Sequence, residues 1–145
     1  MSKDEVLGAF SEAYDSLLIA ASRAVTRGDR EGGNNDWGVR DVLGHIIAWT
    51  DEASRRIPLL LAGAPSLDYD ADAFNAEAIT SVDDLSLGEV RDDLDRSQAR
   101  LVTLLDTLDK SAFSPGGAAH EWITAQTAHM QHHARDLDPE SSILP

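Results

Sequence analysis

Four stretches of the chain set apolar residues at three- and four-residue steps, and no run of four to eight residues alternates with period two between turn signals. This pattern predicts an all-α protein. The first helix is expected from about Lys3 to about Thr26, with Val6, Phe10, Tyr14, Leu17, Leu18, Ala21 and Val25 on one stripe. Ser2 and Glu5 have the form of a capping box, Gly28 supplies the stop, and residues 30–36 are a polar loop. A second helix opens after Trp37-Gly38, with Asp41 in its first turn, where a negative charge suits the helix dipole. It continues through Val42, Ile46, Trp49, Ala53 and Ile57 to Leu61, and Gly63 closes it. Pro58 lies inside that span, so a kink or break is expected over residues 54–58.

Residues 64–84 form the longest non-periodic run, which reads as a long crossover holding a short helical turn around residues 73–78. Such a link lets the helices on either side lie parallel. A third helix starts at the capping box of Ser86 and Glu89 and buries Val90, Leu94, Leu101, Leu104, Leu105 and Leu108. After a flexible link at Pro115-Gly116-Gly117, a fourth helix spans roughly residues 121–137 and ends at Asp138-Pro139. The expected architecture is one domain over residues 1–145, a four-helix bundle with a long crossover between its second and third helices.

Composition narrows the functions available. Twelve Lys and Arg against 26 Asp and Glu leave a net charge of −14, a field that repels phosphate backbones and anionic membranes. The basic residues occur as pairs and singles, such as Arg55-Arg56, and form no stripe. There is no cysteine, which removes disulfides, thiolate ligands and a cysteine nucleophile, and which fits a reducing cytoplasm. No basic-then-apolar leader opens the chain and no apolar run could span a bilayer, so a soluble cytoplasmic protein is expected. No serine lies in a Gly-x-Ser-x-Gly context, and Asp83-Asp84, Asp92-Asp93 and Asp95 lack calcium-loop spacing and read as solvated faces.

The histidines change the picture more. His129 and His133, four apart on a helix, differ by about 40° around the axis and can reach one ion. His132 is rotated from His133 by about 100° and belongs to the rim or solvent. His45 lies between Val42 and Trp49 on an inward stripe and can complete a facial set with the pair. Neutral imidazole suits zinc, nickel, iron or copper, and three protein ligands leave a position for water or substrate. Asp136, Asp41 and Glu52 are candidates to hold the imidazole tautomers from outside the ligand set. Trp49 and Trp122 either line a pocket or pack in the core, and Tyr14 faces the first helix's stripe with its hydroxyl available to the metal mouth. Spacing leaves open whether His45 is a ligand or a core histidine bonded to a carbonyl or carboxylate.

The segment from Trp37 to Trp49, Trp-Gly-Val-Arg-Asp-Val-Leu-Gly-His-Ile-Ile-Ala-Trp, resembles the helix 2 signature of the DinB-like superfamily. That group includes mycothiol-dependent maleylpyruvate isomerase N-terminal domains and DfsB-type bundles. Asp72-Ala73-Phe74-Asn75-Ala76 resembles its crossover, and the stretch from Trp122 through His129 and His133 to Asp136 resembles its last helix. The resemblance implies a four-helix bundle holding a divalent metal (zinc, nickel or iron) through His45, His129 and His133. It further implies thiol-dependent S-transferase or related detoxification chemistry on a small electrophile, with a low-molecular-weight thiol as cosubstrate. The isomerase subgroup carries Glu where this chain has His129, which weighs against isomerisation itself. The alternative is a non-enzymatic bundle that sequesters a small molecule without a catalytic metal. An exposed bundle face would serve a homodimer in either case.

Overall fold

The computed structural model describes residues 2–27 and 37–139; the predicted stop at Gly28, the loop over 30–36 and the tail beyond Pro139 lie outside the described residues. Five α-helices follow in order: α1 Lys3–Thr26, α2 Val39–Leu61, α3 Ala71–Val82, α4 Leu87–Asp106 and α5 Ala118–Leu137, with a 3₁₀ turn at Lys110–Phe113 before the last. No β-strand occurs among the described residues. Both serine capping boxes form: Ser2 Oγ accepts from Glu5 N while Glu5 accepts from Ser2 N, and Ser86 and Glu89 repeat the exchange. Each such cap contributes about 1 kcal/mol by satisfying donors that the first turn leaves without partners.

Three local expectations change. The crossover holds a 12-residue helix where a short turn was predicted, because Asp70 caps it by accepting from Ala73 N at 3.1 Å. Pro58 does not break α2; it sits in the last turn, where only one backbone bond is forfeited, and Ala62 N–H still reaches Pro58 O at 3.0 Å. Residues 115–117 are not a loose link. Gly117 caps α5 so closely that a Cβ there would lie 2.4 Å from Ala112 O, and Gly116 has φ +86°, a conformation that favours glycine. Two apolar residues also leave the expected stripes. Val25 is 43% exposed because the buried face of α1 steps through Ala13, Leu17, Ala20 and Ala24, turning Val25 outward. Leu108 lies past the end of α4 and is half-buried.

Side chains bridging the helices give their directions. Arg40 of α2 reaches Leu85 O just before α4, and Asp51 accepts from Ser97 and Arg100, so α2 and α4 run parallel. Lys3 reaches Asp106 O and Leu108 O at one end of α1, while Arg23 and Arg27 reach Asp138 at the other. The core between them is filled by Phe10, Leu17, Leu43, Ile46, Leu94, Leu101, Leu105, Ile123 and Met130, all fully buried. Each of the larger ones stabilises the fold by about 1.5–3 kcal/mol relative to exposure.

Helix α3 lies back along α2, and one glycine sets how close it comes. A Cβ at Gly44 would stand 2.6 Å from Val82 Cγ2. Alanine is the better helix former by about 1 kcal/mol, yet here the clash with a branched, short side chain should outweigh that gain. Gly44→Ala should therefore lower stability by about 1–3 kcal/mol in urea unfolding, and Val82→Ala in the same chain should recover most of the loss. Unchanged or raised stability in the single variant would contradict the close approach.

Candidate metal centre

Helix α2 supplies His45, and α5 supplies His129 and His133 one turn apart. One nitrogen from each ring lies within 4.8 Å of the others, a spacing at which the group could hold a metal ion. His45 Nε2 is 2.6 Å from His129 Nε2, and His133 Nε2 is 3.1 Å from the same atom. The His45 ring meets the other two edge to face, at 88° and 81°. Trp37 closes the cluster from behind, 5.0 Å from the His45 ring and stacked on His133 at 6.4 Å.

The neighbours of these rings bias which nitrogen carries the proton. Thr50, fully buried, donates its hydroxyl to Ile46 O at 2.8 Å, so it can only accept from Gln126 Nε2 at 3.0 Å. That fixes the amide of Gln126 with Oε1 toward His129 Nδ1, 3.4 Å away. His129 is thereby held with its proton on Nδ1 and a lone pair on Nε2. His133 Nδ1 lies 3.9 Å from Asp136 Oδ2, beyond hydrogen-bond reach. The His129 lone pair accepts from His45 Nε2 at 2.6 Å or His133 Nε2 at 3.1 Å where those nitrogens carry the protons. His45 Nδ1 is buried without a hydrogen-bond partner in either tautomer. A shared cation would take the Nε2 lone pairs of all three rings, and ligand nitrogens around zinc, at Zn–N of about 2.0–2.1 Å, sit roughly 3 Å apart.

The electrostatics point the same way. Burial pushes the pKa of His45 down to about 4, with the His133 charge adding to it and Asn75 opposing it. Burial, then His45 and His133, pushes His129 down to about 3, and burial lowers His133 as well. Near neutral pH all three rings are uncharged, and His45 and His129 are too weak as bases to carry protons in a reaction.

Beside the cluster opens a cavity of about 540 Å³, lined by His45, His129, Trp49, Trp122, Gln126, Tyr69 and Asn75, with Glu121 at its edge. Trp49 donates from Nε1 to Asn75 Oδ1 at 3.0 Å, and its ring lies 4.1 Å from Phe74, so α3 forms one wall. The Tyr69 hydroxyl donates to Glu52 at 2.7 Å; burial and then this bond push its pKa up to about 12.

Several candidates stand elsewhere than expected. Asp41 accepts from Gly38 N at 2.7 Å and serves as the helix cap, which takes its carboxylate away from His45. Glu52 lies two turns beyond His45 and holds Tyr69 and Arg55. Burial raises its pKa, but those two bonds and the Arg55 charge outweigh this and leave it lowered. The Tyr14 hydroxyl donates to Asp95 on α4, and Tyr14 is not among the walls of the cavity. His132 is 62% exposed and sits 3.3 Å from Asp136, while His120 is half-buried at the start of α5 beside Glu121. Sequence reasoning passed over Thr50, Gln126, Asn75 and Tyr69. Only Gln126, three residues before His129, carried a helical-spacing signal that could have found it.

The helices and the convergent imidazoles define an all-helical protein with a three-histidine cluster beside an aromatic cavity. The DinB superfamily model matches residues 4–137, and the chain belongs to the DinB superfamily. Neither the curated proteins nor the solved structures contain a significant match to it.

The lowered histidine pKa values predict how stability depends on pH. Below about 6.5 the unfolded chain takes up protons that folded His45 and His129 refuse until about pH 4 and 3. The metal-free protein should therefore be most stable above pH 6.5 and lose up to about 3 kcal/mol for each of these two rings on going to pH 4. Carboxylates contribute to any such profile, so His129→Gln is the control: it should flatten the slope between pH 6.5 and 4 in urea titrations.

Proposed function

We propose that His45, His129 and His133 bind one divalent metal, zinc, nickel or iron, and that the protein is a thiol-dependent S-transferase acting on small electrophiles. The observation that carries the metal assignment is the convergence of one ring nitrogen from each of the three histidines, all within 4.8 Å of one another. Three ligands leave the ion a coordination position, and when bound it supplies a positive charge that lowers the pKa of a thiol or water there. In this reading the thiol gives up its proton to solvent, its sulfur forms a C–S bond to the electrophile, and the leaving group departs with its electron pair. Gln126 and Thr50 hold the tautomer of His129, and Trp37 excludes water from the back of the cluster. Trp49, Trp122 and Tyr69 form the substrate wall. The fold is read as a four-helix bundle of α1, α2, α4 and α5, with α3 as an element of the crossover. A cytoplasmic homodimer belongs to the same proposal.

Elemental analysis of the purified protein should find about one transition-metal ion per chain, and His45→Ala should lose it. Full metal retention in that variant would discard the assignment. Gln126→Leu, which frees His129 to turn, should weaken metal binding about 10–100-fold while leaving the helical circular dichroism unchanged. A screen of bacterial low-molecular-weight thiols against electrophiles such as epoxides and haloalkanes tests the reaction. Metal without turnover, combined with tight retention of a small molecule, would replace the transferase reading with sequestration.

A further inference from the structure

Of the three rings in the cluster, His45 is the one whose outer nitrogen is unprovided for. Gln126 Oε1 faces His129 Nδ1 at 3.4 Å and Asp136 stands 3.9 Å from His133 Nδ1, whereas His45 Nδ1 is buried with no hydrogen bond. A ring that gives Nε2 to a metal carries its proton on Nδ1, and that proton is almost always taken by a carboxylate, a carbonyl or water. A buried N–H without an acceptor is costly, and the more so as the ring takes on positive charge.

Helix α3 reaches α2 on either side of this ring. Val82 meets Gly44, the residue before His45, and Phe74 and Asn75 meet Trp49, one turn after it. The indole N–H of Trp49 can only donate, so the atom it finds at 3.0 Å is Asn75 Oδ1, and that oxygen keeps a second lone pair. His45, Trp49 and Asn75 line the same cavity, and of the α3 residues there, Ala71 and Asn75, only Asn75 carries a polar group. The Asn75 side chain also opposes the fall in the His45 pKa, the direction given by an acceptor toward a ring N–H. Helix α3 is held lightly enough to settle further onto α2. Only Ala78 and Val82 of its 12 residues are buried, and residues 64–70 before it form no regular structure.

We propose that Asn75 is the positioning residue of His45: its Oδ1 accepts from Nδ1–H when the Nε2 lone pair is engaged by an ion, so that filling the histidine centre and docking of α3 strengthen each other. This rests on the reading of the three histidines as a metal centre and adds its regulation by the crossover helix. The coupling is mutual by linkage. Whatever factor the docked helix adds to metal affinity, the metal returns to the docking of the helix.

The test measures zinc affinity of the full chain by competition with a chromogenic chelator. Hydrogen exchange of each helix is followed by mass spectrometry, with and without saturating zinc. Asn75→Asp keeps an acceptor oxygen and should bind zinc at least as tightly as the unaltered chain. Asn75→Leu, of similar size but without an acceptor, should bind about 10–100-fold more weakly. Zinc should slow exchange over residues 71–82 by about 5–150-fold, more than in α4, and Asn75→Leu should lose that slowing. If circular dichroism shows that Asn75→Leu does not fold, Asn75→Ala takes its place with the same expectation. Equal weakening by Asp and Leu would reduce Asn75 to a packing role and overturn the proposal, as would zinc that leaves exchange in α3 unchanged or slows all helices alike. Tight zinc binding by the unaltered chain and both variants discards the coupling and leaves the metal centre. An unaltered chain that binds neither zinc, nickel nor ferrous iron discards the centre, and the proposal with it.

Discussion

Three imidazoles whose Nε2 atoms crowd to 2.6 and 3.1 Å keep that spacing only where the surroundings leave the rings no other pose. Here the surroundings do. Trp37 blocks one side, the Thr50–Gln126 pair fixes the ring of His129, and Asp136 stands at the outer nitrogen of His133. Turning the His129 ring away would leave Gln126 Oε1 short of a partner, at about 1–3 kcal/mol for a buried group left unmatched. The strain is local, and the packing that maintains it comes from helices on both sides.

Helix α2 links that strain to the rest of the molecule. One face carries His45 toward α5, another carries Asp51 toward Ser97 and Arg100 of α4, and Gly44 admits α3. A single helix thus positions one histidine of the cluster, the wall of the neighbouring cavity and the helix α3 that bounds it. This explains why 10 residues of α2 are buried, among them a histidine, a threonine and a glutamate. Polar residues so deep in a helix would be a liability without partners, and Thr50 and Glu52 each have theirs.

How much of this was legible in the sequence depends on the range of the interaction involved. Capping at Ser2 and Ser86 is local, and both caps appear where the spacing places them. The facing of His129 and His133 follows from helical period alone. The partner of a helix face does not: Tyr14 lies on the apolar stripe of α1, but that stripe meets other helices, and its hydroxyl finds Asp95. Asp41 had two suitors, a histidine four residues on and a backbone N–H three residues back, and the nearer, geometrically favoured cap took it. Tyr69 and Asn75 were invisible because the crossover has no strong apolar period. Their positions follow from α3 docking on Gly44, a contact that periodicity cannot encode.

The pairing of α1 with α5 has a consequence for how the chain is made. Arg23 and Asp138 meet across 115 positions, and the Ala-rich face of α1 is covered mainly by the last helix. During synthesis at about 5–20 residues per second, α1 must wait several seconds with that face unburied. The histidine cluster waits as well, since His45 and His129 are 84 positions apart. Contacts of such long range slow folding relative to bundles built from neighbouring hairpins, because the chain closes a large loop before any of them forms. The alanines on the waiting face expose less apolar surface than leucines would, which lowers the hazard of that wait.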